Sequence, residues 1–312
     1  MQGRLTQATQ VEVKRAESLE GLLDRFISYL DVSQSSIKTY HAGVKNFLNF
    51  LADKEVTQPT RDTIVAYKKE VTARYSASTA NLYMASVRKF FSWLSVEGLY
   101  TDITAGVKGV KVDTGHKRDC FTASQVKGII TGINRESLKG KRDYALFCLL
   151  SATGLRTVEV MRANIEDVRN ICGETVLYIQ GKGKTSKSDF VKLSQPVCAA
   201  LQEYLTARGK TAITEPLFIS VSHRNFGERI TTRSISRIAK QAMKCAEYNS
   251  KRLTCHSLRH TAVTLALLAG MDIRQVSQFA RHSSITVTLI YAHDVERIKS
   301  KVENAISNAI FG

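Results

Sequence analysis

Residues 256–268 read HSLRHTAVTLALL, a polar start followed by an apolar helical run. His256 and Arg259 stand three positions apart, so both side chains leave the first turn of the predicted helix on one face. The backbone N–H groups of that turn and the positive end of the helix dipole favour an anion such as phosphate at the same place. By itself, a His-x-x-Arg pair is common and indicates no more than an ordinary helix start.

A second segment, residues 152–160 (ATGLRTVEV), combines the end of one helix with the start of another. Gly154 is suited to ending a helix, and Arg156 then opens the next one with Glu159 at ion-pair spacing. Taken alone, Arg156 is best explained as the partner of Glu159 in an ordinary ion pair.

Two more segments carry polar groups. Residues 281–285 (RHSSI) contain His282, and Tyr291 follows nine positions later. Each has a simple structural explanation, because histidines cap helices and most tyrosines are half-buried packing residues. Residues 181–188 (GKGKTSKS) lie between the β-prone runs ETVLYIQ and DFVKL. They predict a β-hairpin with a lysine-rich tip, which taken alone is a solvated turn.

Together and in this order, the four segments resemble the tyrosine recombinase family, the phage-integrase-like enzymes that include Xer-type resolvases and Cre-type recombinases. The family pattern is an arginine in a TGLR-x-x-E segment, a lysine on a β-hairpin, an HxLRH segment, a late His or Trp, and a tyrosine about nine residues further on. The residues at these positions here are Arg156, Lys182, His256, Arg259, His282 and Tyr291.

The chain departs from the family pattern at two places. Where the family commonly has glycine before the late histidine, this chain has Arg281. The hairpin tip is also slightly longer than in the shortest relatives, so Lys184 is an alternative to Lys182. Lys182, directly after the first strand, matches the family better.

The resemblance implies a reaction that conserves the energy of the phosphodiester bond in a covalent ester. Tyr291 would attack the scissile phosphate and leave a 3′-phosphotyrosine and a free 5′-hydroxyl. Arg156 and Arg259 would clamp the nonbridging oxygens, whose negative charge grows in the transition state. Glu159 would position Arg156.

The remaining site residues are proton donors and hydrogen-bonding groups. The resemblance implies that Lys182 protonates the departing 5′ oxygen, since the pKa of an amine is adjustable. It also implies that His256 assists proton transfer at Tyr291 and that His282 hydrogen-bonds a phosphoryl oxygen. Two guanidinium groups replace the metal ion of other phosphoryl-transfer sites, so we expect neither a metal nor a cofactor.

Apolar residues recur at helical spacing between residues 18 and 94, and the pattern lapses over residues 106–117. We expect a mainly α fold with a small β-hairpin or sheet. It comprises an N-terminal tail (1–16), a helical core-binding domain (17–111), a linker (112–118) and an α+β tyrosine-recombinase catalytic domain (119–312). Apolar steps of three and four also predict an amphipathic tail helix over 294–310.

The composition favours a soluble protein with a polyanionic partner. The formal net charge is +17, of which +13 lies in residues 112–312, and neutralising phosphates releases counterions. No apolar run reaches the roughly 18 residues of a membrane span, and the first fifteen residues do not form a secretion signal. The six cysteines have no CxxC pair, so we expect buried thiols in a reducing, cytoplasmic location.

We therefore predict a site-specific recombinase that acts on double-stranded DNA as a homotetramer and passes through a Holliday junction. In relatives the final helix docks on the neighbouring protomer, and DNA-bending proteins are further candidate partners. Integration and excision of a mobile element is the leading prediction. The alternatives are Xer-like resolution of chromosome or plasmid dimers, a type IB topoisomerase, and a non-catalytic DNA-binding regulator.

Overall fold

The computed structural model of the chain describes residues 19–112, 119–181 and 183–312. They form two compact units, one on each side of residues 113–118. Each unit has a hydrophobic core of its own. The predicted tail at 1–16, most of the predicted linker at 112–118, and Lys182 lie outside the described residues.

The described part of the first unit, residues 19–112, contains four helices: α1 Leu19–Tyr29, α2 Gln34–Asp53, α3 Arg61–Arg74 and α4 Ala77–Val96. The predicted apolar stripe of α2 faces the core, where the Phe47 ring packs edge-on against Tyr67 and Phe91. Gly43 allows α2 and α4 to approach closely, because a Cβ there would lie 2.4 Å from the Ser86 hydroxyl oxygen. The helical prediction for this region is confirmed.

The segment after α4 is attached to the first unit as far as Val110. The Asn81 side chain donates to the Val110 carbonyl and accepts from its N–H, both at 2.7 Å. Arg88 donates to the carbonyl of Val107, whose side chain is buried. Residues 107–110 are therefore held against α4, because its side chains satisfy backbone groups of Val107 and Val110.

The described part of the second unit, residues 119–181 and 183–312, contains nine α-helices and a short 3-10 helix, Ile165–Asp167. The α-helices are α5 Ala123–Thr131, α6 Leu138–Thr153, α7 Thr157–Arg162, α8 Gln195–Arg208, α9 Thr232–Cys245, α10 Cys255–Leu268, α11 Ile273–Ala280, α12 Ile285–Lys299 and α13 Val302–Phe311. Across all described residues, no helix has the length and hydropathy that a membrane span requires.

A small antiparallel sheet follows α7, in the order β1 Val168–Ile171, β2 Glu174–Ile179 and β3 Asp189–Lys192. The pair β2–β3 is the predicted hairpin, with Ile179 opposite Asp189. Strand β1, a four-residue edge strand with polar residues at its two central positions, was not predicted from the sequence. The mainly helical fold with a small sheet is thus confirmed.

The C-terminal segment differs from the predicted single helix over 294–310. It consists of α12 and α13, separated at Ser300, whose ψ of 137° leaves the helical region and whose hydroxyl accepts the Val302 N–H. Serine competes for backbone hydrogen bonds in this way at helix ends. The apolar steps continue across the break, which is why periodicity alone predicted one helix.

The prediction of buried thiols is wrong for half of the cysteines. Cys148 and Cys255 are buried, and burial raises the pKa of their thiols to about 11 and about 12. Cys198 is half-buried. The exposed thiols lie before α5, in the β1–β2 turn and at the end of α9, positions that no core covers: Cys120, Cys172 and Cys245.

Candidate active site

Arg156 is placed by the turn between α6 and α7. Gly154 ends α6 in the left-handed conformation (φ 59°), which glycine adopts without strain. Arg156 then forms the N-cap of α7. Its N–H donates to Glu159 Oε2 at 2.7 Å, and its guanidinium donates to Oε1 at 3.0 Å. Glu159 is fully buried and Arg156 is partly exposed, so the predicted ion pair holds an arginine whose charge remains accessible.

Arg259 lies on the first turns of α10 and reaches two other segments. Its guanidinium donates to the Gly154 carbonyl at 2.6 Å and to the Ala280 carbonyl at the end of α11. Burial, followed by the positive charges of Arg156 and Arg281, lowers the pKa of Arg259 to about 10. It is still a cation at neutral pH, so the site contains clustered positive charge that one carboxylate does not balance.

His282 follows a tight turn at the end of α11. Arg281 adopts the left-handed conformation (φ 53°), and the His282 N–H donates back to the Ser277 carbonyl at 3.1 Å. Burial, followed by the charges of Arg259, Arg156 and Arg281, lowers the pKa of His282 to about 4. The imidazole is therefore neutral at pH 7 in the protein without DNA.

The tautomer of His282 follows from its neighbour on α12. His282 Nδ1 lies 2.8 Å from Oγ1 of Thr288, which is fully buried. Among the described residues, this is the partner of the Thr288 hydroxyl, and a buried O–H donor is costly to leave unpaired. The hydroxyl therefore donates to Nδ1, so Nε2 carries the proton and is available as a donor.

Tyr291 lies on α12 in a small apolar cluster formed with α10 and α11. Its hydroxyl oxygen is 2.5 Å from Nδ1 of His260, and the His282 ring stacks near it at 6.1 Å between centroids. A cavity of about 410 Å³ adjoins the pair. The family resemblance implies that His256 assists proton transfer at Tyr291, whereas the described hydrogen bond of Tyr291 is to His260. His256 lies exposed in the first turn of α10.

The structure describes the surroundings of two of the three lysines in the hairpin tip. Lys182 lies outside the described residues, between Gly181 and Gly183. The Lys184 side chain is exposed, and its backbone N–H donates to the Gly181 carbonyl at 3.2 Å. Lys187 is paired at 2.6 Å with the buried carboxylate of Asp167, so it stabilises the base of the tip.

The structure thus brings four of the six predicted residues to one place: Arg156, Arg259, His282 and Tyr291. His260 and Arg281, which were not predicted as site residues, also lie in this group. The signal for His260 is its position four residues after His256, one helical turn along the same face. The signal for Arg281 is its occupation of a site where the family has glycine. Among the described residues, no group of three or more His, Cys, Asp or Glu side chains could hold a metal ion.

Comparison with known proteins assigns both units. The family model described as "Phage integrase family" matches residues 119–297, and "Phage integrase, N-terminal SAM-like domain" matches residues 23–98. A tyrosine recombinase of Synechocystis sp. is 28% identical over 295 residues, covering 89% of this chain and 92% of the relative. Tyrosine recombinase XerC of Roseiflexus castenholzii is 30% identical over 289 residues, covering 89% and 88%.

Solved structures share the fold. XerH recombinase bound to a palindromic difH substrate has a TM-score of 0.74 at 19% identity and covers 94% of this chain and 85% of its own. A lambda integrase dimer bound to a COC′ core site has a TM-score of 0.68 at 18% identity, covering 88% and 77%. Since one family model spans more than half of the chain, the chain belongs to the phage integrase family and is a tyrosine recombinase, a site-specific DNA recombinase.

Proposed function

We propose that this recombinase cuts and rejoins DNA with Tyr291 as the nucleophile. The phenol oxygen forms a bond to the scissile phosphorus while the bond from phosphorus to the 5′ oxygen breaks. The products are a 3′-phosphotyrosine and a free 5′-hydroxyl, and reversal with a new 5′-hydroxyl rejoins the strand. The observation that carries this proposal is that Arg156 and Arg259 donate to the Arg281 and Ala280 carbonyls, directly before His282, whose ring stacks on Tyr291.

The proposed reaction needs a proton acceptor for Tyr291. A phenol of pKa about 10 is only about 0.1% ionised at pH 7, a handicap of about 4 kcal/mol. His260 Nδ1 lies in hydrogen-bonding distance of the hydroxyl and takes its proton as the bond to phosphorus forms. His256, exposed in the same helix, offers a hydrogen bond to the phosphate. This assignment replaces the role that the sequence analysis gave to His256.

The other proposed roles concern the phosphate and the leaving group. Arg156 and Arg259 neutralise the nonbridging oxygens, and Nε2–H of His282 donates to one of them. Lys182 supplies the proton to the departing 5′ oxygen. Its role rests on the family resemblance and on its place in the hairpin tip. The reaction uses no cofactor or metal in this proposal.

We also propose that four copies assemble on two DNA sites and exchange α13. Its apolar side chains are exposed and none is buried by its own chain within the described residues: Val302, Ile306, Ile310 and Phe311. An apolar face of this kind is stabilised by a partner surface. A lambda integrase tetramer bound to a Holliday junction is among the structures that share the fold, with a TM-score of 0.65.

The leading biological role remains integration and excision of a mobile element, with Xer-like dimer resolution as the alternative. Proteins that share the fold include a Tn1549 transposon integrase and XerH. The DNA that flanks the gene separates the two roles. Direct repeats or an excisionase-like neighbour support the mobile-element role, and a single chromosomal site without them supports resolution.

The nucleophile is tested on a duplex that the full chain selects from a random-sequence library, nicked so that cleavage traps the covalent adduct. Tyr291→Phe removes one hydroxyl, so DNA binding stays near wild type while the adduct on a denaturing gel disappears. Tyr248→Phe is the matched control and retains the adduct. An adduct that persists in Tyr291→Phe would show that Tyr291 is not the nucleophile. The absence of an adduct in the wild type would favour the alternative of a non-catalytic DNA-binding regulator.

A further inference from the structure

Arg281 occupies a position that costs free energy in two ways. Its left-handed backbone conformation (φ 53°) is one that glycine adopts freely and other residues rarely adopt. Its side chain is about nine-tenths buried, and Nε has no hydrogen-bond partner among the described residues. Buried unpaired donors are destabilising and persist mainly where function retains them.

The guanidinium of Arg281 contacts the groups that hold both proposed clamp arginines. It donates to Glu159 Oε2 at 3.3 Å, while Arg156 occupies Oε1 of the same carboxylate. It also lies 3.4 Å from the Gly154 carbonyl, which accepts from Arg259 at 2.6 Å. A third bond, to the Phe279 carbonyl at 2.7 Å, anchors the guanidinium to its own helix.

The positive charge of Arg281 affects how Arg156 contacts the Glu159 carboxylate. Both oxygens of Glu159 already accept hydrogen bonds from Arg156, Oε2 from its backbone N–H at 2.7 Å and Oε1 from its guanidinium, so the effect of Arg281 is one of charge. Without Arg281, the guanidinium of Arg156 would be the one cation paired with the buried Glu159 carboxylate among the described residues, and the carboxylate would draw it inward. With Arg281 on Oε2, one face of Glu159 is already neutralised, so the exposed part of Arg156 keeps its charge and free donors for a phosphate. The bond from Arg156 to the Arg281 carbonyl, at 3.4 Å, fixes the same pair through the backbone.

We propose that Arg281 is a positioning residue that holds Arg156 and Arg259 at a fixed spacing through Glu159 and the Gly154 carbonyl. The inference rests on the proposed function, in which these two arginines clamp the scissile phosphate. Arg281 acts through them and does not touch the DNA. A lysine at this position reaches one acceptor but lacks the planar fork that spans several.

The test uses Arg281→Gly, Arg281→Lys, Glu159→Gln and the double variant Arg281→Gly with Glu159→Gln in the full chain. Glu247→Gly is the matched control, since Glu247 also has a positive φ (68°) but is exposed and outside the site. Adduct formation is measured in single turnover at saturating selected duplex, DNA affinity is measured over a salt series, and thermal unfolding is measured without DNA.

We expect Arg281→Gly to fold and to bind DNA as the wild type does, because glycine fits the turn. Adduct formation should slow by about tenfold or more, which is the loss expected for a charge-assisted hydrogen bond. Arg281→Lys restores part of the rate, and Glu247→Gly keeps all of it. Adding Glu159→Gln to Arg281→Gly causes little further loss, because the carboxylate that draws Arg156 inward has been neutralised.

Three outcomes would overturn the inference. One is an unchanged rate in Arg281→Gly. Another is a weaker, less salt-dependent affinity for DNA in Arg281→Gly, which would make Arg281 a direct phosphate contact. The third is additivity of Arg281→Gly and Glu159→Gln in thermal unfolding, which would show that the two side chains are not coupled. Failure of the proposed function is distinguishable from these outcomes, because the wild type would then form no adduct. The unfolding measurement does not depend on the proposed function.

Discussion

The hydroxyl oxygen of Tyr291 lies 2.5 Å from Nδ1 of His260, although the two residues are 31 positions apart on different helices. A neutral imidazole at this distance is able to accept the phenol proton as the oxygen attacks phosphorus. In the proposed mechanism, the reactivity of Tyr291 therefore depends on the α10–α12 contact and not on the tyrosine alone. The same apolar cluster that buries Tyr291 also includes Val263 and Val276, on α10 and α11, so packing fixes the pair.

Replacing His260 by asparagine should slow cleavage of the selected duplex by about 10²–10⁴-fold at pH 7, the usual contribution of a general base. The rate should then rise about tenfold per pH unit toward pH 10, because the ionised fraction of the phenol rises in the same way. Single-turnover adduct formation across this pH range measures both effects. His256→Asn is the matched control and should show no such recovery. The opposite pattern would return the proton transfer to His256.

Thr288→Val should reduce cleavage, whereas Thr288→Ser should retain most of it, because only the hydroxyl fixes the Nε2–H tautomer of His282. Nitrogen-15 NMR of the histidine ring reports the tautomer directly.

Since the folded pKa of His282, about 4, lies below the ordinary value near 6.5, its neutral ring should not titrate between pH 8 and 5 in the free protein. Its contribution to stability should be present above about pH 6.5 and lost as the pH falls toward 4. A ring that titrates near pH 6.5 would contradict the burial argument.

Lys182→Ala should abolish cleavage of ordinary DNA, and a substrate with sulfur in place of the bridging 5′ oxygen should restore it, because a thiolate leaves without a proton. Lys184→Ala should instead weaken binding by one phosphate contact and make its salt dependence shallower. Adduct formation on both substrates separates the two lysines. Sulfur rescue of Lys184→Ala but not of Lys182→Ala would exchange their roles.

Deleting residues 302–312, which removes α13, should leave a folded monomer that binds one DNA site but does not recombine two. A cut after His293 is unsuitable, because Val295 is buried beside Tyr291. Sedimentation of the protein–DNA complex and recombination between two selected duplexes are the measurements. The full-length variant with Ile306→Asp and Ile310→Asp should behave in the same way. Wild-type recombination by the truncated chain would exclude helix exchange, and unfolding would indicate that α13 packs on its own domain.

Much of the fold was predictable from local pattern. Helices α2 and α4 follow from apolar steps of three and four, and the β2–β3 hairpin follows from two β-prone runs around a glycine- and lysine-rich tip. Strand β1 was not predicted because its central residues are polar, so its sequence lacks the alternation of apolar and polar residues that distinguishes a strand from a loop. The break at Ser300 was not predicted because the apolar steps of α12 continue into α13, so the sequence pattern is that of one helix.

Some residues of the candidate site were likewise predicted from the sequence, and others were found only in the structure. Arg156, Arg259, His282 and Tyr291 were singled out through the resemblance of their order and spacing to the tyrosine recombinase pattern, since each segment taken alone had an ordinary structural explanation. Only the tertiary structure placed His260 against Tyr291 and Arg281 against Glu159, the latter pair 122 positions apart. Periodicity determines which face of a helix a side chain occupies, whereas the packing of α7, α10, α11 and α12 determines which side chain it meets there.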